Sequence, residues 1–160
     1  MGALIHRARA SRRLLLILGL TTGLLAACGD AGSAADRDIS VSDAFALATV
    51  TGQPNGAIYF TIVSAGADTL ERIEVPDSIA GHTEIHETVT GANGEMSMRE
   101  MKSGVTLDPG TAVTFTPGGK HVMLVDLATP LAAGQTFDIT LDFAKADPVT
   151  LPVAVVESAP

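Results

Sequence analysis

From Ile39 to Val156 the sequence is a succession of short apolar or alternating runs, each cut off by Gly, Pro or Asp. Ala57-Ile58-Tyr59-Phe60-Thr61-Ile62-Val63 is nearly continuous in β-branched and aromatic residues, and Ser64-Ala65-Gly66-Ala67-Asp68 ends it. Thr136 to Phe143 alternates Phe137, Ile139, Leu141 and Phe143 with polar partners, the period of a half-buried strand. Ile39 and Val41 alternate with Ser40 and Ser42. Leu70–Val75, Glu84–Thr90, Glu95–Met101, Val105–Leu107, Val113–Thr116, His121–Leu127 and Val149–Val156 complete the set. No stretch of this region holds a helical apolar period for long. Chains punctuated this often bury their apolar faces sheet against sheet. The expected fold is therefore an all-β antiparallel sandwich of about eight or nine strands.

The first residues belong to a different regime. Arg7, Arg9, Arg12 and Arg13 precede the apolar run Leu14–Leu20, and small residues follow. That order is an export signal, too short for a spanning helix. It closes on Leu25-Ala26-Ala27-Cys28, which resembles a bacterial lipobox, and such a signal implies lipidation at Cys28. Residues 1–27 are thus expected to be a lipoprotein signal peptide and 28–37, small and polar, a flexible tether. Residues 38–160 form one folded domain. The expected location is the cell membrane, lipid-anchored on its extracytoplasmic, periplasmic face. Removing the signal takes away four arginines and no acid, so the formal charge moves from −8 to −12. A surface this acidic disfavours nucleic acid and anionic lipid. The only cysteine lies at the lipobox, so neither a disulfide framework nor a thiolate ligand is available to the domain.

Beyond the signal every histidine and methionine falls between His82 and Met123: His82, His86, Met96, Met98, Met101, His121 and Met123. Packing alone does not require such segregation, since Leu and Val fill space elsewhere in the chain. Thioether sulfur and imidazole nitrogen together suit Cu(I), a soft ion. They also keep working in an oxidising compartment, where thiols are lost to disulfides.

Strand parity sharpens the pattern. His121 and Met123 share a face about Val122, and Met96 and Met98 share one about Ser97. An H-x-M pair directly after Pro117-Gly118-Gly119 is expected at the rim of a sandwich. For His86 and Met98 to share a face, the loop between their strands must contain an odd number of residues. A three-residue loop with Gly94 left-handed, of the G1-bulge kind, meets that demand.

His86, Met98 and His121-Val122-Met123 resemble the ligand pattern of the PCuAC family of bacterial periplasmic copper chaperones. The likeness extends to Ile39-Ser-Val-Ser-Asp-Ala-Phe45, Ala57-Ile-Tyr-Phe-Thr61, Met96-Ser-Met98-Arg99, Pro117-Gly-Gly-Lys-His-Val-Met-Leu124 and Pro130-Leu131. Both ligand gaps are one residue longer than usual in the family. The further methionine that members often carry after the first histidine is replaced here by Glu87-Thr88. The resemblance implies a cupredoxin-like β-sandwich and Cu(I) held by His86, Met98, His121 and Met123. It also implies copper delivery to an acceptor such as a cytochrome oxidase subunit or another copper chaperone.

Other residues are weaker candidates. Met96 rivals Met98, and His82, expected on an entry loop, is an auxiliary candidate. Met101 has the opposite parity and is expected in the core. Glu84, Glu87 and Glu95 are expected to be solvated strand-edge charges. A metal-free sandwich serving adhesion or assembly is the alternative that the strands alone would support. No nucleophile elbow or phosphate loop suggests an enzyme.

Overall fold

The computed structural model describes residues 38–160, so the expected signal peptide, Cys28 and the expected tether through residue 37 lie outside the described residues. Ten strands follow: β1 (Ile39–Leu47), β2 (Gly56–Ser64), β3 (Asp68–Glu74), β4 (Ala80–Thr90), β5 (Met96–Glu100), β6 (Val105–Leu107), β7 (Val113–Phe115), β8 (Lys120–Leu127), β9 (Thr136–Phe143) and β10 (Val149–Val156). They are ordered β5-β4-β8-β7-β2-β1-β10-β9-β3-β6, with β8 also pairing β2. Each apolar run in the sequence has become a strand. The count is ten rather than eight or nine because β6 and β7, three residues each, hold their own places. Most ladders are antiparallel, but β1–β10 and β7–β8 are parallel, which makes the sheet mixed.

The inward faces of the two halves meet in one core. Ile58, Phe60 and Ile62 of β2, Val122 and Leu124 of β8 and Phe115 of β7 come from one half. Ile139 and Leu141 of β9, Val153 and Val155 of β10 and Leu70 of β3 come from the other. Within it Phe60 and Phe115 stack, with ring centroids 4.4 Å apart. Alternation then decides what faces outward: with Val122 and Leu124 buried, His121 and Met123 must point the other way.

A bulge in β1 changes that strand's parity. Ser42 pairs Thr61 but Phe45 pairs Tyr59, so one extra residue lies between them, and Asp43 is left-handed (φ 54°). Before the bulge Val41 lies on the same face as Ile62; after it Ala46 takes the inward place opposite Ile58. Phe45 is thereby turned outward against Tyr59, at a ring separation of 5.1 Å. The simple alternation of Ile39, Val41 and Asp43 stops at this point. Asp43 is a bulge residue, favoured there because a short polar side chain tolerates positive φ.

Candidate metal centre

Three strands build the site, and register assembles it. In the β4–β8 ladder His86 lies directly opposite His121, and Glu84 opposite Met123. Facing residues in an antiparallel pair share a side of the sheet with Cβ atoms about 5 Å apart. The two imidazole rings lie edge to face with centroids 5.8 Å apart.

On the other side of β4, Thr88 pairs Met98 and His86 pairs Glu100. Met98 is therefore diagonal to His86 on the same face, a span of about 7–8 Å that a long side chain can cross. The loop responsible is the odd one. Gly91 N–H donates to the Glu95 carbonyl, and Gly94 N–H donates to that of Gly91, which encloses Ala92, Asn93 and Gly94. Gly94 has φ 83°, as a G1 bulge requires.

The start of β8 is held by a second turn. Gly119 N–H donates to the Thr116 carbonyl, with Pro117 next and Gly118 left-handed (φ 80°), the Pro-Gly pattern of a type II turn. The Gly119 carbonyl accepts Thr88 N–H at 3.1 Å and His121 Nδ1–H at 3.1 Å. His121 is buried, and with Nδ1 occupied its Nε2 lone pair is left for a ligand.

His86 is held by its own strand. Its Nε2 lies 2.9 Å from Glu84 Oε2, while Nδ1 is buried without a hydrogen-bond partner. An unpartnered buried ring nitrogen is uncommon and fits a position that a metal would complete. Glu84 also takes His82 Nε2 at 3.5 Å on its other oxygen. Glu84 was thus more than a solvated charge. Its parity with His86, two residues away on one strand, is the signal that could have found it.

Behind this face Glu87 points the opposite way and joins the three strands. Its carboxylate accepts Arg99 of β5 at 3.0 Å and Lys120 of β8 at 3.1 Å. The hydrogen bonds from Lys120 and Arg99 hold the Glu87 carboxyl below the usual range. Glu87 is therefore a cross-strand tie, where a solvated edge charge was expected.

His121, Met123, Met98 and Thr88 line a groove of about 390 Å³ that is completed by Tyr59, Ala57 and the Leu47–Asn55 segment. The groove lies over the outward face of the sheet, at the end of β8 where that strand begins. Burial raises the Tyr59 phenol pKa above its ordinary value. Met98 is 59% exposed, so it is not core filler; Met123 is half-buried. Met96 shares Met98's face but is 66% exposed and does not line the groove. Met101 packs against the core, as its parity implies. His82 lies within β4, since the β4–β8 ladder continues to Ala80–Leu127, and not on an entry loop; it shares the face of His86 but pairs Val125, farther along β8 than His121 and Met123. Among the described residues no group of three or more His, Cys, Asp and Glu could hold a metal, so a metal here would need the sulfur atoms.

Residues 39–155 match the family model described as "Putative lipoprotein LpqE-like". The chain belongs to this LpqE-like family. It is also of the PCuAC type. Over 150 residues this LpqE-like chain is 37% identical to "Putative lipoprotein Lxx21020" of Leifsonia xyli subsp. xyli (strain CTCB07), covering 92% of this chain and 87% of that relative. Among solved structures it is similar to the apo PCuAC domain from PmoF1, with a TM-score of 0.60 and 27% identity over 76% of this chain and 94% of that one. It is equally similar to the copper-bound PCuAC domain from PmoF2, with a TM-score of 0.60 and 26% identity over 75% and 93% of the two chains. This chain shares the cupredoxin-like β fold with both of these PCuAC domains.

Proposed function

We propose that this protein is an extracytoplasmic Cu(I) chaperone that binds the ion through His86, Met98, His121 and Met123. The observation that carries the reading is the register: two ladders and one odd loop bring two imidazoles and two thioethers from three strands to one face. Such a donor set is soft and neutral, which favours Cu(I) over harder cations. Without thiolate it holds the ion less tightly than a cysteine cage. Exposed Met98 on an edge strand leaves one side of the site approachable, as transfer requires. Copper is cargo in this reading, not a redox catalyst, and the protein is not an enzyme. Membership of a lipoprotein family and the Cys28 lipobox support a lipid anchor on the outer side of the membrane. The acceptor we propose is the copper centre of a respiratory oxidase, or another copper chaperone on the way to it.

Cu(I) competition titration tests the reading. One equivalent should bind to the wild type, and the paired substitutions His121→Ala and Met123→Leu should abolish that binding. Unchanged binding in the double variant would overturn the site.

A further inference from the structure

The two histidines of the site are hydrogen-bonded in opposite senses. His121 donates from Nδ1 to the Gly119 carbonyl, which leaves Nε2 bare. His86 has its Nε2 2.9 Å from the Glu84 carboxylate, an acceptor only, so that nitrogen carries the hydrogen. In the neutral ring Nδ1 of His86 is then a bare lone pair, and it is the buried ring nitrogen without a partner.

Glu84 is well placed to maintain this. It lies two residues from His86 on the same face of β4 and opposite Met123, so its carboxylate sits beside the proposed ligands. Its second oxygen is approached by His82 Nε2 at 3.5 Å, which helps fix the carboxylate. A hard carboxylate is a poor ligand for Cu(I), and Glu84 can therefore orient the ring without competing for the ion. A carboxylate behind a ligating imidazole selects its tautomer and raises its basicity.

We infer that Glu84 is a positioning residue that holds His86 as its Nε2–H tautomer, so that the metal is met by Nδ1 of His86 and Nε2 of His121. The inference rests on the Cu(I) reading for the identity of the ion, but the tautomer is a property of the metal-free protein.

Nitrogen-15 imidazole spectra of the metal-free and Cu(I)-loaded protein test it, at a pH where the rings are neutral. The metal-free wild type should show His86 as Nε2–H and His121 as Nδ1–H. Cu(I) should then shift Nδ1 of His86 and Nε2 of His121. Glu84→Ala should give His86 mixed tautomers and weaken Cu(I) binding about 10–100-fold, the usual effect of losing such a partner. Glu84→Gln, which keeps an acceptor oxygen without the charge, should fall between the two. A metal-free His86 in the Nδ1–H form would overturn the inference. So would copper shifts at Nε2 of His86, or a Glu84→Ala protein with wild-type tautomer and affinity. If the wild type takes up no Cu(I), the copper reading fails, while the metal-free tautomers still report whether Glu84 holds the ring.

Discussion

At the scale of single residues, the site face of the sheet is built from side chains whose alternatives are closed off. Tyr59 packs against Phe45, and burial disfavours its ionised form, raising its pKa from the ordinary 10.0. A folded-state value above the unfolded one means that Tyr59 supports the fold fully below the unfolded pKa. That support is lost as pH rises through the folded value. Because Tyr59 is the only tyrosine and the chain has no tryptophan, tyrosinate absorbance reports it alone. Its titration midpoint should lie above 10.0, and Tyr59→Phe should remove this alkaline contribution to unfolding. Met98 offers a second residue-level test. It is largely solvent-exposed, so Met98→Leu should change stability by less than about 0.5 kcal/mol. Cu(I) affinity, in contrast, should fall tenfold or more, about 1.4 kcal/mol. Melting curves and competition titrations on one sample would separate the two effects.

At the scale of elements, the β4–β5 hairpin decides whether Met98 belongs to the site. Deleting Ser97 would keep the three-residue loop but shift every later residue of β5 by one position, which turns Met98 to the opposite face. Because β5 is an edge strand, the core should survive, and copper affinity should drop to that of Met98→Leu. A deletion variant with wild-type affinity would contradict the parity argument. On the reverse face, Glu87 ties β5, β4 and β8 together through Arg99 and Lys120. Its lowered pKa supplies stability that is present above the unfolded carboxyl value. This contribution is lost as pH falls through the folded value. Solvent screening keeps it below about 1 kcal/mol. Acid titration of stability should therefore show a shallower loss for Glu87→Gln than for wild type. The hairpin's loop was legible in the sequence because Gly94 and the parity requirement agree. The roles of Glu84 and Glu87 were not, because a charge on a strand looks solvated until its neighbours across the ladder are known.

At the scale of the whole molecule, fold and site are nearly separate constructions on opposite faces of the same strands. Leu141 is fully buried in the core, so Leu141→Ala should cost about 2–5 kcal/mol. Chemical denaturation would measure that loss, and Cu(I) binding should persist wherever the variant remains folded. The sequence by itself determined that the chain is all-β, because apolar runs this short and so often interrupted by Gly and Pro have no other way to bury their side chains. It also determined where the proposed soft donors lie, because His and Met beyond the signal are confined to one stretch and strand alternation puts His121 and Met123 on one face. Only the tertiary structure decided which strands adjoin. Facing His86 with His121 depends on a ladder between residues far apart in the chain, and nothing local encodes that register. The β1 bulge, the parallel β1–β10 and β7–β8 pairings and the position of His82 inside β4 were settled in the same way. Each depends on the hydrogen-bonding partner that a strand finds across the sheet.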